Sequence, residues 1–171
     1  MTDSLRRVAI VGGSRIPFCR SNTMYADKSN LDMLSAVIDG IAQRFDLAGA
    51  QLDEVMAGAV MTHSRDFNLA REAVLSSRLS PLTTGITLQQ ACGTSLQAAL
   101  NLGAKIACGQ IESGIAAGTD TTSDAPIVFN DKFAHRLINR GQARTLKQRF
   151  AVHKGFGPGE LKPVTPKNGE M

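Results

Sequence analysis

Gln89-Gln90-Ala91-Cys92-Gly93-Thr94-Ser95-Leu96-Gln97-Ala98-Ala99-Leu100 joins two patterns at one cysteine. Upstream, Thr83-Thr84-Gly85-Ile86-Thr87-Leu88 is rich in β-branched residues, and residues 84–90 read as a strand. Downstream, Leu96, Ala99, Leu100, Gly103, Ala104 and Ala107 recur at helical spacing, which predicts a helix over 92–108. Cys92 therefore stands at a strand-to-helix turn among small residues. This stretch decides the fold, because the same alternation recurs on both sides of it.

On the N-terminal side, Arg7-Val8-Ala9-Ile10-Val11-Gly12 reads as a first strand. Ser29-x-x-Asp32 has the form of a capping box. Leu31, Leu34, Val37, Ile38, Ile41 and Phe45 then trace an amphipathic helix. Residues 54–60 predict a second strand, and Asp66 is expected to cap a helix carrying Leu69, Ala70, Ala73 and Val74. Beyond the cysteine, Ile111 to Gly118 predicts a fourth strand, small and apolar enough to be buried. The order β-α-β-α-β-α-β implies an α/β fold with right-handed crossovers and a mostly parallel sheet between helices. In such sheets, sites gather at the carboxyl ends of the strands. Cys92, the 61–66 loop and the 118–126 loop all fall there.

The pattern changes after Pro126, so the expected domains are 1–126, a core, and 127–171, a basic segment. From Lys132 to Gly159 there is no Asp or Glu, and Lys132, Arg136, Arg140 and Arg144 recur every fourth residue. This predicts a basic amphipathic helix interrupted near Gly141. The net charge is only +4, yet seven Lys and Arg lie between 132 and 154. They fit a solvated helix face or an acidic membrane surface. No recognition motif accompanies them, so nucleic acid is not an expected partner.

Composition narrows the class further. The chain has 171 residues, 43% of them hydrophobic, which is ordinary for a globular domain. No apolar run approaches the length of a membrane span, and Val8–Val11 is too short for a signal-peptide core. The cytoplasm is the expected compartment. Three cysteines without a CxxC pair argue against a disulfide framework or a zinc site, so no metal and no bound cofactor are expected.

A helix N-terminus stabilises a thiolate, the nucleophilic form of cysteine, through its unpaired N–H groups and dipole. Small neighbours leave room for an acyl carbonyl, and the backbone N–H of Cys92 could help hold an oxyanion. This geometry suits covalent acyl transfer. Spacing alone leaves a second reading open, a small buried core residue. Cys19 and Cys108 read as structural. His63 reads as a hydrogen-bonded or solvated loop histidine, and His135 and His153 as solvated. Two rival motifs fail. Pro17 stands where a dinucleotide fingerprint needs its third glycine, and Gln90-Ala91-Cys92-Gly93-Thr94 is not a hydrolase elbow.

Three segments together resemble the N-terminal half of a thiolase, an acetyl-CoA acyltransferase. They are Val8-Ala9-Ile10-Val11-Gly12-Gly13-Ser14-Arg15-Ile16-Pro17-Phe18, Gln90-Ala91-Cys92-Gly93-Thr94-Ser95, and Gly118-Thr119-Asp120-Thr121-Thr122-Ser123-Asp124-Ala125-Pro126. Residues 58–68 look closer to the fatty-acid-oxidation trifunctional type than to the short-chain biosynthetic type. Cys19 departs from the Gly or Ala expected at its position. The resemblance implies Cys92 as nucleophile. It would take an acyl group from a 3-ketoacyl-CoA, release acetyl-CoA, and pass the acyl group to coenzyme A. It also implies that 127–171 begins a loop domain whose basic residues meet coenzyme A phosphates.

The family's activating histidine, second cysteine, asparagine motif and fifth, antiparallel strand are absent from this sequence. The expectation is thus an incomplete enzyme that associates with a second copy, a complementary C-terminal chain or a fatty-acid-oxidation multienzyme partner. The alternative is a non-catalytic remnant or binding module.

Overall fold

The computed structural model describes residues 5–164, and the chain divides into two units, one ending at Ala125 and one beginning at Pro126. The first unit is built in the order α1 (Asn30–Arg44), β1 (Glu54–Ala57), α2 (Leu69–Leu75), β2 (Thr84–Thr87), α3 (Thr94–Ala107) and β3 (Gly114–Ala116). The three strands form one parallel sheet in the order β2-β1-β3. Backbone pairing runs past the strand ends, with Leu88 N–H on Ala57 O (3.1 Å) and Thr119 N–H on Gly58 O (3.1 Å).

Central β1 is buried on both faces, as a strand covered by two helical layers must be. Val55 and Ala57 face α1 and α2, where Leu34, Ile38, Ala42, Leu69, Ala73 and Val74 close the main core. Met56 faces the other way, onto Ala98 and Leu102 of α3. Glu54 shares that face. It is 5% exposed, and its carboxylate is held by Lys105 Nζ at 2.7 and 2.9 Å.

The expected caps explain α1. The Ser29 hydroxyl accepts from Asp32 N–H and the Asp32 carboxylate accepts from Ser29 N–H, a complete capping box. For α2 the expectation fails. Asp66 ends a short 3₁₀ turn, and the cap is Asn68, whose side chain accepts from Arg71 N–H. Asn68 also donates to Gly85 O and accepts from the Thr87 hydroxyl, so one side chain starts the helix and docks it on β2. A cap bonded to the neighbouring strand prevails over one that only satisfies its own helix.

The expected first strand does not form. Val8, Ile10 and Val11 are 44%, 94% and 82% exposed, and residues 7–12 lie outside the sheet. Arg6 ties this stretch to the body, with its N–H on Ala107 O and its guanidinium on Glu112. A strand exists only as one side of a ladder. Among the described residues, none supplies the other side to 7–12. Helix α3 is mostly apolar, with Lys105 its only charge, yet only Thr94, Ala98 and Leu102 are buried, while Leu96 and Leu100 are 65% and 59% exposed.

The second unit contains α4 (Asp131–Gln142) and α5 (Leu146–Ala151), so the basic stretch breaks close to Gly141 as its sequence suggests. Thr145 and Gln148 form a capping box that restarts the helix. Phe133 packs against Phe129 and Phe156, at centroid distances of 5.1 and 5.9 Å. Arg136 is not part of a free basic face. It bonds the Glu160 carboxylate and the carbonyls of Val152, Lys154 and Gly155. Among the described residues, no helix is long and apolar enough to cross a membrane.

Candidate active site

Cys92 lies five residues beyond the end of β2 and two before the start of α3. Its side chain is exposed, which rules out the buried-core reading. The parallel sheet directs three connections to this end: 88–93 after β2, 58–66 after β1 and 117–124 after β3.

Glycines permit the close approach of these segments. A Cβ at Gly58 would overlap the Leu88 carbonyl oxygen and come within 2.9 Å of Thr94 Cγ2. One at Gly118 would lie 2.9 Å from Ser95 Cβ. The start of α3 is thus seated directly on the ends of β1 and β3. Small residues here let the helix approach the sheet as well as keeping the entrance open.

The turn itself is tightly bonded. Ala91 has φ +43°, in the left-handed region that alanine rarely occupies. Gly93 N–H bonds Gln90 O at 2.9 Å. Thr94 Oγ1 donates to Ala91 O at 2.8 Å and accepts from Gln90 N–H at 2.9 Å. With only 5% exposure, Thr94 is a buried tie and not an open-entrance residue.

The two neighbouring loops are strapped to each other. Asp120 accepts from Val60 N–H (2.9 Å) and Met61 N–H (3.1 Å), and also from Thr121 N–H. The Gln89 amide donates to Val60 O at 3.2 Å. His63 Nε2 sits 2.7 Å from Asp124 O, and the Asp124 carboxylate pairs with Arg65. That pairing with Asp124 raises the Arg65 pKa above its ordinary value. His63 is therefore a hydrogen-bonded loop histidine.

Cys19 is half-buried in the 17–21 loop, and the Cys108 thiol is exposed at the C-cap of α3. The structure does not bring Cys108 into the Cys92 turn: it lies at the opposite end of the same helix. The structural roles of Asp120, Asp124 and Thr94 were not read from the sequence. For the two Asp residues the available signal was an Asp-and-Thr-rich loop directly after a strand, where such side chains bond N–H groups.

A three-layer α/β unit with an exposed cysteine between a parallel strand and a helix N-terminus is the class defined by this geometry. The chain belongs to the thiolase family, whose N-terminal domain it matches over residues 8–156. A 3-ketoacyl-CoA thiolase from Shewanella denitrificans is 37% identical over 160 residues, covering 94% of this chain and 37% of that protein. The chain thus spans little more than a third of the curated relatives it matches. Among solved structures, the acetyl-CoA acetyltransferase of Bacillus anthracis aligns with a TM-score of 0.71 at 22% identity, over 75% of this chain and 33% of that one. A thiolase from Ascaris suum in complex with coenzyme A aligns with a TM-score of 0.60 at 21% identity, over 64% and 29%. These two likenesses establish the thiolase fold.

Proposed function

We propose that this chain supplies the acyl-accepting part of a thiolase, with Cys92 as nucleophile. The observation that carries the reading is the exposed Cys92 thiol at the start of α3, in a chain of this family. Cys92 Sγ attacks the C3 carbonyl of a 3-ketoacyl-CoA, forming an S–C bond. The C2–C3 bond then breaks, and its electron pair stays on C2, which takes up a proton and leaves as acetyl-CoA. The thiol of a second coenzyme A attacks the new thioester, releasing a shortened acyl-CoA and restoring Cys92. The reverse sequence is a condensation. The backbone N–H of Cys92 would help hold the oxyanion.

We assign acyl-CoA and coenzyme A as partners on the same grounds, since the relatives carry those names. Exposed Leu96 and Leu100 on α3 favour a covering surface from a second copy or from the remaining part of such an enzyme. Three free cysteines agree with a cytoplasmic setting.

Helix α3 contains its own control, because Cys92 and Cys108 are both exposed at its opposite ends. The dipole favours an anion at the first end and disfavours it at the second, by about 0.3–1 kcal/mol each. Iodoacetamide at neutral pH should therefore alkylate Cys92 at least about threefold faster than Cys108. Acetoacetyl-CoA should slow alkylation at Cys92 alone. Equal rates, or protection of both sites together, would overturn the reading.

A further inference from the structure

We infer that Thr94 is the positioning residue of this site: its buried hydroxyl holds the turn that presents the Cys92 thiol. This rests on the reading of Cys92 as nucleophile. Among the described residues of the first unit, three that are not glycine have positive φ: Asn22, Asp46 and Ala91. Asn and Asp tolerate that region because their side chains can bond the local backbone. Alanine has no such means, so Ala91 is held from outside. The hydrogen bonds show by what. The Thr94 hydroxyl accepts from Gln90 N–H and donates to Ala91 O, so it grips the chain on both sides of the Ala91 Cα.

The other branch of the same side chain is anchored. Thr94 Cγ2 lies where a Cβ on Gly58 would come within 2.9 Å, at the end of β1. One residue therefore links the central strand to the turn, with its methyl on the sheet and its hydroxyl on the backbone flanking the cysteine. Cys92 itself has an exposed side chain, and its direction depends on the backbone that Thr94 holds.

Valine keeps the shape of Thr94 and lacks the hydroxyl; serine keeps the hydroxyl and lacks the methyl. In the full chain, the iodoacetamide rate at each cysteine is read by peptide mass spectrometry, and folding by circular dichroism on heating. Thr94→Val removes both hydrogen bonds and should slow Cys92 by at least about fivefold, the factor for a single ordinary hydrogen bond of about 1 kcal/mol, and leave Cys108 unchanged. Thr94→Ser should stay within about twofold of the unsubstituted chain. General loosening of the structure would raise the rates at all cysteines, so a fall confined to Cys92 is specific to positioning.

An unchanged Cys92 rate in Thr94→Val, or an equal fall in Thr94→Ser, overturns the inference while Cys92 keeps its role. If Cys92 in the unsubstituted chain is no faster than Cys108, the nucleophile reading fails and the positioning role fails with it. Should Thr94→Val prevent folding, adding Ala91→Gly carries the test, because glycine takes positive φ without help. Restored folding and a restored Cys92 rate support the inference. A folded double variant with a slow Cys92 overturns it.

Discussion

Gly58→Ala tests how tightly the turn is seated on the sheet. The added Cβ would overlap the Leu88 carbonyl oxygen and lie 3.0 Å from its carbonyl carbon, with Thr94 Cγ2 at 2.9 Å. Two of these three atoms are backbone, so no side-chain rotation relieves the contact. The strand ends must part, which strains the bond from Leu88 N–H to Ala57 O. Overpacking of a tight core costs about 1–3 kcal/mol, and a lost backbone bond about 1 kcal/mol. The expected loss is therefore about 2–4 kcal/mol. For a chain of this size, that is a fall in melting temperature of roughly 5–15 °C.

Gly103→Ala is the matched opposite. Its Cβ meets nothing within 4 Å, and Gly103 lies inside α3. Alanine there should stabilise by about 0.5–1 kcal/mol through helix propensity. Thermal unfolding followed by circular dichroism reads both variants. Gly58→Ala should also slow alkylation of Cys92, since Leu88 and Thr94 must move. A melting point for Gly58→Ala equal to that of the unsubstituted chain would refute the close-packing argument, as would a loss in Gly103→Ala.

Lys105→Ala leaves the Glu54 carboxylate without its partner while it is only 5% exposed. Because Lys105 is itself about a third exposed, the expected loss is about 1–3 kcal/mol, below the range for fully buried pairs. Glu54→Gln with Lys105→Met should recover most of it in chemical denaturation, and a double variant as unstable as the single one would refute this account. Bonds from Glu112 N–H, then Ser113 N–H, hold the Asp53 carboxyl below its ordinary value. The depressed value means that this contribution is present above about pH 4 and lost as pH falls through the folded-state value. Asp53→Asn should therefore melt lower than the unsubstituted chain at pH 7 and match it near pH 2, and a gap that persists at pH 2 would contradict the charge-based reading. Asp32, lowered chiefly by Ser29 N–H, adds to the same acid slope.

Elements whose determinants are local were legible in the sequence. The Ser29 capping box, the 3.6-residue period of α1 and the strand-to-helix switch at Cys92 all lie within a few residues of the structure they specify. Features that depend on a distant partner were not legible. The Arg7–Gly12 pattern is apolar enough for a strand, but a ladder needs a second chain segment. Asp66 has the composition of a cap, yet Asn68 takes that place because it also reaches Gly85 and Thr87 on β2. Arg136 has the spacing of a basic face, but Glu160 and three carbonyls far along the chain draw it inward. Around the candidate site, the cysteine and its turn could be read directly. The ties made by Asp120 and Thr94 could not: Asp120 accepts from Val60 and Met61 on another loop, and Thr94, though its partners Gln90 and Ala91 are close in sequence, acts at a positive-φ alanine that composition does not announce.

The central claim is that Cys92 accepts the acyl group, and trapping that group tests it most directly. The full chain is incubated with acetyl-CoA, quenched in acid and digested, and its cysteine-containing peptides are weighed by mass spectrometry. The account predicts one acetyl group on the peptide carrying Cys92, lost on addition of free coenzyme A and absent from Cys92→Ser. Acetylation spread equally over Cys19, Cys92 and Cys108, or an unmodified Cys92, would contradict it.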